Sequence, residues 1–171
     1  MGRTVTYLEM TSPDALSASS PVSGLELVRV ERGLPSVRAM AARVGEPYGW
    51  RSAARTKAEW EAREGEHPLL QYWFVVFEGE PMGAAYLEPQ PGGDVEIVTF
   101  GLVPDYVGKG FGGYALTLAL RQAWVTEPVD AEKVRRVWLH TNSNDHPNAL
   151  ANYRKRGLNI YREDTEAPDG A

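Results

Sequence analysis

The chain has 171 residues, 43% hydrophobic and 24% charged, with a formal net charge of −5 at pH 7. These values are typical of a globular protein with a sizeable core, and the acidic balance argues against nucleic acid and favours cationic ligands. The absence of cysteine excludes disulfides, thiolate zinc sites and a cysteine nucleophile. Since we find neither a membrane-spanning run nor a signal sequence, we expect a cytoplasmic protein without a membrane partner, and we predict no metal site.

Hydrophobic alternation and turn signals predict the elements of the N-terminal half. Residues 1–23 are expected to form an edge strand followed by a loop. Pro35 begins a helix that ends at Gly45, and a capping box at Thr56 begins a second helix. The predicted elements are, in order, strands at 4–10 and 25–30, helices at 35–45 and 57–65, and strands at 72–77 and 82–87.

The C-terminal half alternates strands and helices. Its predicted elements are a strand at 95–103, a helix whose buried face carries Leu116, Leu120, Ala123 and Trp124, a strand at 134–140, a helix at 147–156 and a strand at 158–162. Residues 163–171 are expected to form a loose tail. Because neither repeats nor a composition shift divides the chain, residues 1–171 are predicted to form a single domain.

The most informative segment is 102–120, where an apolar strand enters a glycine-rich turn and then an amphipathic helix. Free amides and the positive end of the dipole make a helix N-terminus a ready phosphate site, and glycines let a phosphate approach the backbone. The residues expected to bind there are Gly108, Lys109, Gly110, Phe111, Gly112 and Gly113.

Two other phosphate motifs fit this segment less well. The six residues from Gly108 to Gly113 match G-x-G-x-x-G, but five residues including Pro104 separate them from the strand. No strand ending in an acidic residue follows about twenty positions later, as ribose recognition requires. A P-loop is excluded because no Gly-Lys precedes Ser or Thr.

The run 95–116 resembles the acetyl-coenzyme A signature of the GCN5-related N-acetyltransferase (GNAT) superfamily. That signature is a strand, a short loop bearing Pro, and then Arg/Gln-x-x-Gly-x-Gly/Ala opening a helix. Gly110 and Gly112 hold its glycine positions, whereas Val107 stands where Arg or Gln is usual.

A second segment, 140–163, is similar to the C-terminal coenzyme A motif of the same superfamily. Ala149, Tyr153 and Gly157 have the expected spacing, and His146 stands where Asn is often found. The resemblance implies an α/β fold with a mixed, mostly antiparallel central sheet flanked by helices. It also implies that the coenzyme is contacted by the backbone of Phe100, Gly101 and Leu102 and by His146.

Acetyl transfer to an amine requires a base for the ammonium proton and an acid for the leaving thiolate. Strand alternation predicts that Glu96, Val98, Phe100 and Leu102 share one face, and Glu96-Ile97-Val98 is similar to the segment bearing the catalytic glutamate of histone acetyltransferases. The alternative is a solvent-facing Glu96 at the start of the strand.

The resemblance makes Tyr153 the acid, since an equivalent tyrosine lies beside the coenzyme sulfur in many members. The alternative is a core tyrosine with its hydroxyl at the rim. Tyr48 and Trp50, in the aromatic loop 46–51, are candidate substrate contacts or packed aromatics. The three histidines are not expected to form a set, and Asp145 is expected to cap the following helix.

The resemblance therefore implies an N-acetyltransferase that uses acetyl-CoA as co-substrate and transfers the acetyl group directly in a ternary complex. The acceptor would be a small-molecule amine or a peptide N-terminus, and a homodimer is compatible with this reading. Two alternatives stay open. One is a transferase for another acyl-CoA, and the other is an acyl-CoA sensor without turnover, which Val107 and His146 favour.

Overall fold

The computed structural model describes residues 2–166, which form one sheet flanked by helices. The strands are β1 (Arg3–Met10), β2 (Leu25–Val30), β3 (Gln71–Phe77), β4 (Glu80–Gln90), β5 (Asp94–Leu102), β6 (Arg136–Asn142) and β7 (Asn159–Glu166). The α-helices are α1 (Pro35–Gly45), α2 (Lys57–Glu66), α3 (Gly112–Trp124) and α4 (Ala149–Lys155). The order of elements is as predicted, although β6 and α4 each begin two residues later.

The strand order is β2-β3-β4-β5-β6-β1-β7, and every neighbouring pair except β5–β6 is antiparallel. This confirms the mixed, mostly antiparallel sheet. The prediction that the first strand lies at an edge is wrong, because β1 lies between β6 and β7, with Leu8 and Met10 fully buried. The predicted loose tail is also wrong for residues 163–166, which pair with β1, while residues 167–171 lie outside the described residues.

Helices cover both faces of the sheet. On one face, α3 packs its buried Leu116 and Leu120 against strand residues that include Leu87. On the other, α1 and α2 bury Val44 and Trp60 in a cluster with residues of β3 and β4. Within residues 2–166, no helix combines the length and apolarity needed to cross a bilayer.

The sheet opens between β5 and β6. These strands pair only over Asp94–Glu96 and Arg136–Trp138, so from Ile97 onward β5 has no strand partner on this side within residues 2–166. Unpaired backbone donors and acceptors along a strand form an edge to which an extended ligand can bind.

A β-bulge at Val98 reverses the alternation of side chains along β5. Thr99 pairs with Tyr86 and Ile97 with Leu87, so Val98 is the extra residue. Val98 therefore packs with the α1 cluster, whereas Phe100 packs on the α3 side. The prediction that Glu96, Val98, Phe100 and Leu102 share one face is wrong, because strand alternation holds only where the ladder is regular.

Candidate active site

A cleft of about 240 Å³, the first cleft, opens beside the unpaired part of β5. Its walls come from β5, the glycine turn, the start of α3, the loop after β6 and α4. The structure thus joins two motifs that are separated in the sequence. The predicted site residues that line it are Tyr48, Trp50, Phe100, Gly101, Leu102, Gly108, Gly110, Gly112, Gly113, His146 and Tyr153.

The glycine turn exposes backbone to the first cleft. Gly108 and Gly110 have φ of +76° and +88°, and a Cβ atom at either would meet no atom within 4 Å. The first amides of a helix have no acceptor within the helix, and the N-cap of α3, Phe111, supplies none from its side chain. This arrangement suits a phosphate bound by backbone amides beside the positive end of the helix dipole.

Two of the predicted binding residues, Lys109 and Phe111, lie outside the first cleft, and Gly113, in α3, also has a packing role. A Cβ atom at Gly113 would lie 2.8 Å from Ser19 Oγ, so this glycine lets the loop after β1 pack on α3. The ring of Phe111 packs against Phe77 with centroids 4.8 Å apart. Lys109 is exposed on the turn, and neither it nor Phe111 lines the first cleft.

Tyr153, in α4, is buried and lines the first cleft. Its ring lies edge-on to Phe100, with centroids 6.3 Å apart. Burial, with a smaller contribution from the charge of Asp145, raises the pKa of the phenol. The hydroxyl is therefore protonated at neutral pH and is a hydrogen-bond donor.

Asp145 was missed as a residue of this site. It accepts hydrogen bonds from Trp50 Nε1 at 2.8 Å, from Thr141 Oγ1 and from the backbone N–H of Asn142 at 3.1 Å. The prediction that it caps the next helix is wrong, because Nδ1 of His146 accepts the N–H of Asn148 just before α4. The local sequence could not show this role, since Trp50 is 95 residues away.

Asn152 was also missed, and it ties the two motifs together. Its Nδ2 donates to the carbonyl oxygen of Gly112 at 3.1 Å, which links α4 to the first turn of α3. The sequence could have indicated that Asn152 belongs to the site, because it directly precedes Tyr153 in the C-terminal coenzyme A motif.

A second cleft of about 380 Å³ lies on the α2 side of β5. Trp50 lines both clefts, so its indole forms part of the wall of each. The charged residues that line the second cleft are Arg51, Arg55, Arg63, Glu88 and Glu96, with the histidines His67 and His140.

Glu96 lies in the second cleft with only 13% of its side chain exposed, so the solvent-facing alternative is wrong. Gln90 Nε2 donates to its Oε1 at 3.0 Å, and His140 Nδ1 lies 3.8 Å from its Oε2. Burial, aided by the charge of Glu88, raises the pKa of Glu96, while the Gln90 bond, Arg63 and His67 oppose that rise. A buried carboxylate with a raised pKa is a better base than an exposed one.

Two of the three histidines, His67 and His140, line this cleft. His67 Nδ1 lies 2.7 Å from Glu88 Oε2, and burial lowers the pKa of His140, so that imidazole is neutral at pH 7. His146 lines the first cleft instead. Across residues 2–166, no group of three or more His, Asp or Glu side chains is arranged to hold a metal ion.

Several solved structures share this architecture. The chain is similar to a GCN5-related N-acetyltransferase from Sphaerobacter thermophilus, with 16% identity and a TM-score of 0.65 over 96% of this chain and 50% of that chain. It is similar to a second one from Kribbella flavida, with 17% identity and a TM-score of 0.63 over 96% of this chain and 58% of that chain. It is also similar to a tandem GNAT protein of the clavulanic acid biosynthesis pathway, with 17% identity and a TM-score of 0.58 over 98% of this chain and 55% of that chain. At these identities the likeness shows a shared fold.

The chain spans 50–58% of the length of these solved structures. It has no significant match among the curated proteins. A sequence model of the acetyltransferase (GNAT) family matches residues 37–158, well over half of the chain and including both predicted coenzyme motifs up to Leu158. The chain therefore belongs to the acetyltransferase (GNAT) family.

Proposed function

We propose that this protein transfers an acetyl group from acetyl-CoA to a primary amine, directly and in a ternary complex. The observation that carries the proposal is the continuous backbone surface of the first cleft, where the open edge of β5 leads to the uncapped start of α3. The strand edge suits an extended pantetheine arm, and the helix start suits the pyrophosphate. Because Val107 has no polar side-chain atom, backbone amides would supply this phosphate contact.

Glu96 and Tyr153 are the proposed base and acid. They line different clefts that share Trp50, so the amine would be deprotonated from one side and the thiolate protonated from the other. Glu96 would remove the proton of an ammonium whose pKa is near 10.4, and Tyr153 would donate to a thiolate whose conjugate acid has a pKa near 8.5. The backbone N–H of Phe100, a residue that lines the first cleft, would polarise the acetyl carbonyl.

The acceptor would be a small-molecule amine or a peptide N-terminus that enters through the second cleft. The absence of cysteine excludes an acetyl-cysteine intermediate, which supports direct transfer. Tyr48 and Trp50 would then contribute aromatic walls near the point where donor and acceptor meet.

The test is a thiol-release assay with acetyl-CoA and a panel of primary amines, combined with calorimetry of coenzyme binding. Gly110→Asp should abolish binding, because it places a side chain and a negative charge beside the pyrophosphate. Gly33→Asp is the matched control, since Gly33 also has positive φ (+80°) and open space around its Cα but does not line the cleft.

Unchanged affinity in a folded Gly110→Asp variant would remove the glycine turn from the coenzyme site. Acetyl-CoA binding without thiol release for any amine would favour the sensor alternative. Faster turnover with succinyl-CoA or propionyl-CoA would favour a different acyl donor.

A further inference from the structure

The second cleft carries more positive charge than the proposed chemistry requires. Arg51, Arg55 and Arg63 line it, and the same three arginines line an adjoining groove together with Glu59, Glu66 and two alanines. They come from one stretch of chain that includes the 3-10 turn Arg51–Ala53 and α2. Counting arginines and glutamates alone, the second cleft has three positive and two negative side chains, whereas the chain as a whole carries a net charge of −5.

These arginines have no ion-pair partner in the described part of the chain. Within residues 2–166, no carboxylate oxygen lies within 4.0 Å of a guanidinium nitrogen of Arg51, Arg55 or Arg63. By contrast, Arg38 pairs with Glu64, and Arg136 pairs with two carboxylates. The cluster is therefore free to bind an external anion.

Two of the nearby carboxylates, Glu59 and Glu88, are engaged elsewhere, and Glu66 is exposed at the end of α2. Glu59 accepts the backbone N–H of Thr56 in the capping box, and Glu88 contacts His67 and Gln90. Burial, followed by the like charges of Arg63 and Arg51, lowers the pKa of Arg55 against the opposing effect of Glu59. Mutual repulsion among guanidinium groups is relieved when an anion binds between them.

We propose that the acceptor amine carries its own anionic group, a carboxylate or a phosphate, which binds to Arg51, Arg55 and Arg63 while the amine reaches Glu96. This proposal rests on the proposed function and narrows its substrate class. Both ends of such an acceptor find complementary charge in one cleft, because the arginines and Glu96 line it together. Planar guanidinium groups bind either anion through paired hydrogen bonds.

The test compares acceptors that differ only in the anion. We expect kcat/KM for 5-aminopentanoate to exceed that for pentylamine by at least about tenfold, which corresponds to about 1.4 kcal/mol. O-phosphoethanolamine against ethanolamine is the phosphate arm, and the larger of the two ratios identifies the preferred anion. Arg55→Gln should lower kcat/KM for the anionic acceptors at least about tenfold and leave the neutral amines within about twofold.

Two further variants serve as a control and a replacement in this test. Arg43→Gln removes an equal charge from an exposed position on α1 outside the second cleft and should leave both ratios unchanged. Arg63→Gln replaces Arg55→Gln if the latter does not fold, because Arg55 also packs over the Trp60 ring at 4.7 Å. Equal kcat/KM within both acceptor pairs, or an equal loss for charged and neutral amines in the arginine variant, would overturn the proposal.

Measuring acceptor binding separately from thiol release distinguishes a failure of the anion site from a failure of the proposed function. Calorimetry of 5-aminopentanoate and O-phosphoethanolamine with the coenzyme A-bound protein should show binding that Arg55→Gln weakens at least tenfold, even if no thiol is released. No binding of either acceptor in the presence of amine turnover would refute the anion site alone. Absence of thiol release with every amine would refute the proposed function alone.

Discussion

Replacing Asp145 with Asn should loosen the wall between the two clefts. Asp145 Oδ1 accepts from Trp50 Nε1, and Oδ2 accepts from Thr141 Oγ1 and the backbone N–H of Asn142. An amide has a single oxygen, so either orientation turns an NH₂ group toward at least one donor. The variant keeps the size of the side chain and therefore isolates the loss of acceptors.

The magnitude follows from this geometry. Hydrogen bonds to a charged group contribute about 1.5–3 kcal/mol, and because Asp145 is only half-buried we expect the lower end, about 1.5–2 kcal/mol. For a domain of this size 1 kcal/mol shifts Tm by about 2–4 °C, so Tm should fall by about 3–8 °C.

A double-mutant cycle with Trp50→Phe measures the bond itself. Urea unfolding of the wild type, both single variants and the double variant should give a coupling energy of about 1–2 kcal/mol. Asp105→Asn, on the exposed 3-10 turn Pro104–Tyr106, is the control and should change stability by less than about 0.5 kcal/mol. A coupling energy below about 0.3 kcal/mol would refute the assigned role of the Trp50–Asp145 bond.

Glu96→Gln should lower turnover by about 10² at neutral pH, with a defect that shrinks at high pH as more amine is neutral. Burial raises the pKa of Glu96 in the folded protein above its value in the unfolded chain. At a pH above the unfolded value, the ionised carboxylate therefore destabilises the folded state. Glu96→Gln carries no charge and should raise Tm at pH 7, and this gain should disappear below about pH 4. A lower Tm at pH 7 would contradict this. Tyr153→Phe should reduce acetyl transfer by about 10² and stability by at most about 1 kcal/mol, and full thiol-release activity would exclude the acid role. Gly101→Ala places a methyl group 2.6 Å from Val44 Cγ1 and should lower the free energy of unfolding in urea by about 1–3 kcal/mol. Gly65→Ala, with open space around it, is the control and should not destabilise the protein. Equal effects of the two substitutions would refute the packing argument.

Local patterns determined the elements and most of the first cleft. The run of glycines before α3 identified the exposed backbone because positive φ and the lack of a side chain are properties of single residues. The resemblance of segment 140–163 to the C-terminal coenzyme A motif implied that Tyr153 belongs to the other wall, which it lines. Both signals lie within a few residues of the feature they predict, so tertiary structure was not needed to find them.

Tertiary structure decided what depends on distant residues. The interior position of β1 arises from pairing with β7, as between Arg3 and Glu166, and no local pattern specifies a partner at that separation. The bulge at Val98 depends on the register of β4, and it places Glu96 in a different cleft from Phe100. The cluster of Arg51, Arg55 and Arg63 beside Glu96 exists only because α2 packs against the sheet, which brings residues from separate elements into one cleft.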